Sequence, residues 1–216
     1  LDWKYKDLFL TTLPIKTSVS KIKEIRNNKE EFGLEKFVPE FLKDEKIEAT
    51  RKGTLIHLVL QKIDFNKIVS KSDIEEFLEY LKSKNFITDE ESKQIEVQKI
   101  FDFLNSDFAL KIKNAKKVYK EKPFCVKIKV KEFLEDAKDE ELTVQGIIDL
   151  YYITNDGNVI LVDYKTDYVQ IGNEHELIKK YKLQLDIYRR ALEEALGKNI
   201  EEVYIYSLCL NKEIKI

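Results

Sequence analysis

The stretch "GIIDLYYITNDGNVILVDYKTD", residues 146–167, decides the fold. It holds two apolar, β-rich runs around a turn. Each run carries an aspartate where a strand would place valine or isoleucine. The Asp156-Gly157 pair between them is a strong signal for a tight hairpin. With the turn centred on Asp156, Asp149 lies seven residues before it and Asp163 seven after. A symmetric antiparallel register therefore sets the two aspartates opposite each other, with Cβ atoms about 5 Å apart. Asp163 and Lys165 alternate onto the same face, and Ile160, Val162 and Tyr164 onto the other. Two facing carboxylates repel unless a cation lies between them, and hard oxygen ligands suit Mg²⁺ or Mn²⁺. The D-Y-K triplet alone also describes an ordinary ion pair on a solvated face. The second, hairpin-linked aspartate favours the metal.

Outward from the hairpin, "VYKEKPFCVKIKV" (118–130) alternates as a strand. Residues 174–196 predict an amphipathic helix with Leu177, Tyr181, Gln184, Tyr188 and Leu192 along one stripe, ended by Gly197. "EEVYIYSLCL" is a further strand, and "YIYSLCLNKEIKI" reads as a last strand pair. Upstream, Gly53 opens "GTLIHLVLQKIDF", where Leu55, Ile56, Val59, Leu60 and Ile63 fall at helical spacing. His57 sits inside this run, where a histidine is ordinarily a satisfied core residue. Ser72–Glu75 and Thr88–Glu91 read as capping boxes that start helices over 73–83 and 89–104, and "SDFALKIKNA" adds a short fourth. "TSVSKIKEIRNN" (17–28) reads as a short helix capped by Ser18 or Ser20, and "FVPEFL" is anchored by aromatics around Pro39. The order predicts an α/β domain over 1–216: a mixed sheet flanked by helices. Residues 1–117 are its mostly helical part and 118–216 its sheet core and long helix.

Composition narrows the function. The 38 Lys+Arg and 40 Asp+Glu give a net charge of −2, which argues against a globally basic nucleic-acid binder. Cys125 and Cys209 are too few for a four-thiolate cluster and form no CxxC zinc pattern. No apolar run approaches the roughly 18 residues of a membrane span, so a cytoplasmic protein with no membrane partner is expected. The absence of methionine, with Leu1 first, suggests a segment of a longer protein.

Taken in order, G-T-x-x-H-x-x-L-Q (53–61), E-x-P-F (121–124), G-x-I-D (146–149), D-Y-K-T (163–166) and Q-x-x-x-Y (184–188) resemble the RecB-type branch of the PD-(D/E)XK nucleases. "TSVSKIKEI" and the ending "YSLCLNKEIKI" resemble the nuclease domain of the large subunit of AddAB-type helicase–nucleases. The resemblance implies a restriction-endonuclease-like sheet and an Mg²⁺-dependent deoxyribonuclease, an exonuclease, with Mn²⁺ able to substitute. It makes His57, Asp149 and Asp163 metal ligands, joined by the backbone carbonyl of Tyr164. Lys165 becomes the residue that orients or deprotonates the attacking water. Gln184 and Tyr188 join Asp149, Asp163 and Lys165 in the catalytic set. Ile148 stands where the motif has proline. Glu121 matches E-x-P-F but receives no catalytic role. The branch's iron–sulfur members carry four cysteines that this chain lacks, so no iron–sulfur cluster is expected here. The implied partners are DNA (a single strand from an unwound duplex), a helicase region upstream in the same protein, and an AddB-like second subunit. The implied process is double-strand-break repair and recombination.

Three other readings compete. A standalone RecB-like exonuclease differs in total chain length. A catalytically inactive module that binds DNA or a partner has no need of Asp149, Asp163 and Lys165. A plain α/β scaffold would bind no metal.

Overall fold

A computed structural model describes residues 16–18, 40–129, 131 and 141–216. The described residues pack as two compact units. In the smaller, strand β1 (Lys16–Ser18) lies parallel to Thr143–Gln145. Ser18 is thus a strand residue and not a helix cap; Ser20, Pro39 and the rest of the expected 17–28 helix lie outside the described residues. β1 also takes Lys16–Ser18 out of the part expected to be helical.

The larger unit holds residues 40–122 and 148–216 among those described. Its frame is a sheet. Strand β2 (Lys117–Lys129) pairs with β3 (Glu141–Ile153), and β3 pairs antiparallel with β4 (Val159–Lys165). The β3–β4 pairs, from Leu150 with Val162 to Ile153 with Val159, are all symmetric about position 156, as the hairpin reading requires. Gly157 takes φ +91°, a conformation L side chains rarely adopt, so a glycine belongs there. β4 pairs in parallel with β5 (Glu202–Ser207), which turns back antiparallel into β6 (Lys212–Lys215). A central strand with parallel and antiparallel neighbours buries both faces, and Val159 to Tyr164 are all buried.

The helices that precede β2 cover the face of β4 that carries Ile160, Val162 and Tyr164. Helix α1 (Glu40–Lys62) buries Leu55, Ile56, Val59 and Leu60, and Ile63 follows just past its end, so the whole stripe read from sequence is buried. These residues join one core with Leu150, Ile160, Val162, Tyr164 and Tyr206. Gly53 does not open this helix; it lies well inside it. A Cβ at Gly53 would sit 2.9 Å from Thr166 Oγ1, so a glycine lets α1 approach the end of β4. That close approach offsets the roughly 1 kcal/mol a helix-interior glycine costs.

Helix α2 (Lys71–Ser83) is capped by Ser70, not Ser72. The Asp73 carboxylate accepts from the Ser70 and Val69 amides at 2.8 and 2.9 Å, which fixes the start two residues early. Thr88 and Glu91 form the expected box. The expected 89–104 helix is broken into α3 (Asp89–Gln94) and α4 (Val97–Leu104), with Ile95 extended between them. In one unbroken helix Ile95 would point about 140° away from Ile100. The break lets both be buried. Helix α5 (Asp107–Lys113) follows, capped by Ser106. Phe103 of α4 packs edge-on against Tyr164 and Tyr206, with ring centroids 5.2 and 4.7 Å apart. Helix α6 (Glu174–Leu196) ends at Gly197, φ +62°, as read. No described helix is long and apolar enough to cross a membrane.

Candidate active site

The larger unit's polar residues converge at the C-terminal end of β4. Asp163 is 1% exposed. Its Oδ1 accepts from the Gln184 side-chain amide at 3.0 Å, and its Oδ2 lies 2.6 Å from Lys165 Nζ. The same Gln184 amide donates to the Tyr188 hydroxyl at 3.0 Å. Helix α6 therefore reaches Asp163 through Gln184, with Tyr188 one turn further on bonded to the same amide. Burial pushes the Asp163 carboxyl up to about 6; Lys165 pulls it back down, and the nearby charge of Asp149 adds to the rise.

Asp149, on β3, lies beside this group. Its Oδ2 accepts from the Tyr164 backbone amide at 3.0 Å and lies 3.4 Å from His57 Nδ1. Burial works to raise its pKa, but His57, Lys165 and the Tyr164 amide together hold it below the usual carboxylate range. Burial works to lower His57, yet its hydrogen bond and charge contact with Asp149 win and leave it above the usual histidine value. The Tyr164 ring turns into the core, edge-on to His57 at 6.1 Å.

Glu121 completes the cluster. His57, Glu121 and Asp149 each offer a ligand atom, and these atoms all lie within 4.8 Å of one another. One imidazole nitrogen and two carboxylates in that span fit a single divalent cation. Burial, then repulsion from Asp149, raises the Glu121 carboxyl. Its backbone is strained, with φ +50° in the middle of a strand. Such a conformation costs about 1–3 kcal/mol in a residue with a side chain, and it persists where the surroundings enforce it. The neighbouring Lys120 is itself held to α1. Its Nζ donates to the carbonyls of Leu60 and Ile63 at 2.9 and 2.6 Å, capping the end of α1, and sits 3.6 Å over the Phe65 ring. Burial there lowers the lysine to about 8. The β2 segment is thereby tied to the helix that carries His57.

Of the residues singled out in the sequence, His57, Asp149, Asp163, Lys165, Gln184, Tyr188 and the Tyr164 backbone are brought together. Sequence reasoning left Glu121 out of the set. Its E-K-P-F setting was the available signal; its left-handed backbone carried none. A cleft of about 770 Å³ is lined by His57, Glu121, Asp149, Tyr164 and Lys165 of this group, with Thr54 and Tyr168 beside them. Its charged lining is mixed, with four lysines (Lys52, Lys99, Lys165 and Lys180) against the four carboxylates of Glu96, Glu121, Asp149 and Asp167.

Residues 16–213 match the profile of the PD-(D/E)XK nuclease superfamily. The chain is 35% identical over 230 residues to an ATP-dependent helicase/nuclease subunit of Clostridium novyi (strain NT). It is 36% identical over 226 residues to the protein of the same name in Alkaliphilus oremlandii (strain OhILAs), and 40% over 232 residues to the one in Clostridium beijerinckii. Each alignment covers 100% of this chain and 18–19% of the relative, so the chain spans under a fifth of the relatives' length.

Proposed function

Because the chain belongs to the PD-(D/E)XK nuclease superfamily, we propose that residues 1–216 form the Mg²⁺-dependent deoxyribonuclease domain of an AddAB-type helicase–nuclease, acting as an exonuclease in double-strand-break repair and recombination. The mixed sheet with flanking helices is the restriction-endonuclease-like fold of that superfamily. The observation that carries the reading is Asp163: a carboxylate 1% exposed, gripped by Lys165 and Gln184, beside a His–Glu–Asp cluster at the floor of an open cleft. Burying a charge in that way is costly without a partner or a metal.

The residues divide the work. His57, Asp149, Asp163 and the Tyr164 carbonyl would hold the ion, and Glu121 would join them. The chemistry an ion supplies there is activation of a water and relief of charge on the phosphate. Lys165, its ammonium held by Asp163, would orient the attacking water by donating a hydrogen bond to it. Gln184 and Tyr188 hold Asp163 in place from α6. The substrate is a single strand from an unwound duplex, delivered by a helicase region of the same protein together with an AddB-like partner in the cytoplasm. The relatives' name, which joins helicase to nuclease, supports that setting.

The test is single-turnover cleavage of a single-stranded oligonucleotide by the full-length protein in Mg²⁺. Lys165→Ala is expected to slow the step about 10²-fold or more, with DNA affinity little changed. Asp163→Ala is expected to abolish it. Cleavage at the normal rate by either variant puts the nuclease chemistry outside this site and overturns the reading.

A further inference from the structure

Lys165 has a second neighbour that the proposed chemistry leaves unused. Besides its contact with Asp163, its Nζ lies 4.3 Å from the centre of the Tyr181 ring. Tyr181 is itself anchored: its hydroxyl donates to Asp167 Oδ2 at 2.8 Å, and Lys180 pairs with the other oxygen of the same carboxylate. Asp167 is half-buried, and its carboxyl stays below the usual range because Lys180 and Tyr181 outweigh the burial.

A lysine ammonium ends a flexible four-carbon stem and has no fixed donor direction of its own. One carboxylate contact limits its position but leaves rotation about the stem. An aromatic face attracts the ammonium through the ring quadrupole and bars the space the ring fills. We infer that Tyr181, locked by Asp167, is a positioning residue for Lys165, holding the ammonium between its ring and Asp163. This rests on the proposed role of Lys165 in cleavage. Two features of the chain support it. The stretch D-Y-K-T-D supplies the lysine and, two residues later, the anchor of the ring that packs it. Tyr181 also precedes Gln184 by three residues, one turn of α6. The same helix face therefore steadies Asp163 through Gln184 and Lys165 through Tyr181.

The ring and the hydroxyl have separable tasks. Tyr181→Phe keeps the face and loses only the anchor. Tyr181→Leu loses the face. In single-turnover cleavage by the full-length protein, Tyr181→Phe is expected to be slowed a few-fold and Tyr181→Leu about 10- to 100-fold, the scale of a small misplacement at a reacting centre. The affinity for a single-stranded oligonucleotide without cleavage is expected to stay within about two-fold in both, since neither change removes a charge. In a Lys165→Ala background the Leu substitution is expected to add little, because two residues acting through one group are not additive. Asp167→Ala, which removes the acceptor and frees the ring without deleting it, is expected to slow cleavage like Tyr181→Phe, and it gives the answer if Tyr181→Leu does not fold. Normal rates in Tyr181→Leu or, failing that, in Asp167→Ala overturn the inference. So does equal slowing by Phe and Leu, or a full further loss in the Lys165→Ala background. If Lys165→Ala itself cuts normally, it is the nuclease reading that falls.

Discussion

Asp163 shows how far a single residue can be read. Counting seven residues on either side of Asp156 sets Asp163 opposite Asp149, and the register from Leu150–Val162 to Ile153–Val159 is symmetric about that position. Its face-mate Lys165 followed from strand alternation and lies 2.6 Å away. Glu121 could not be read in this way. Its place depends on a left-handed backbone inside a strand and on Lys120 reaching the end of α1, neither of which leaves a periodic trace. Glu121 also carries a signed expectation. Its carboxyl is raised above the usual glutamate value by burial and by Asp149. A raised acid contributes stability below its unfolded pKa and loses it as pH rises through the folded value. At neutral pH without metal, the charge on Glu121 therefore opposes folding. Glu121→Gln is expected to raise the thermal midpoint of the metal-free 216-residue chain at pH 8, to leave it nearly unchanged at pH 3, and to weaken the upward shift caused by Mn²⁺. Thermal melts at the two pH values, with and without the ion, check all three. A lower midpoint at pH 8 would show that Glu121 stabilises the fold in its own right.

Elements were legible where their apolar period was long. The 23-residue helix α6 and the buried stripe of α1 match the reading. The short helices were misplaced at their ends because local side-chain bonds, not periodicity, set them. Asp73 moved the start of α2 to Ser70, and Ile95 broke the expected 89–104 helix. Replacing Ser70 by Ala is expected to cost about 1 kcal/mol in denaturant unfolding, the usual worth of an N-cap. The glycine within α1 bears more on function. On propensity alone, Gly53→Ala would stabilise α1 by about 1 kcal/mol. The added Cβ would meet Thr166 Oγ1 at 2.9 Å, one residue from Lys165, and the β-branched Thr166 has little freedom to turn away. Gly53→Ala is therefore expected to lower the thermal midpoint and slow cleavage. Adding Thr166→Ala is expected to recover the midpoint to the wild-type value or above. If Gly53→Ala alone stabilises the protein without affecting cleavage, the close packing of α1 on the end of β4 does not constrain the site.

At the scale of the molecule, the α/β class and the order of helices and strands were legible. The edges of the two compact units fall inside β2 and β3, where no turn or linker composition marks them. Charge balance bears on how the whole protein works. With a net charge of −2, the chain lacks the basic excess that binds DNA by counterion release. The isolated chain is expected to bind single-stranded DNA far more weakly than the full-length protein, and to cut it more slowly, at about 150 mM salt. A motor that threads the strand past the site supplies a high effective concentration instead. Nanomolar binding and equal cleavage by the isolated chain would favour a standalone nuclease. Behind all of this stands the claim that the cluster at the end of β4 holds a divalent ion. The most direct measurement is the anomalous scattering of Mn²⁺ in crystals of this chain. The expected result is a peak bonded at about 2.1 Å to the Asp149 carboxylate, within the group formed by His57, Glu121, Asp163 and the Tyr164 carbonyl. A peak elsewhere, or none at these residues at millimolar Mn²⁺, would contradict it.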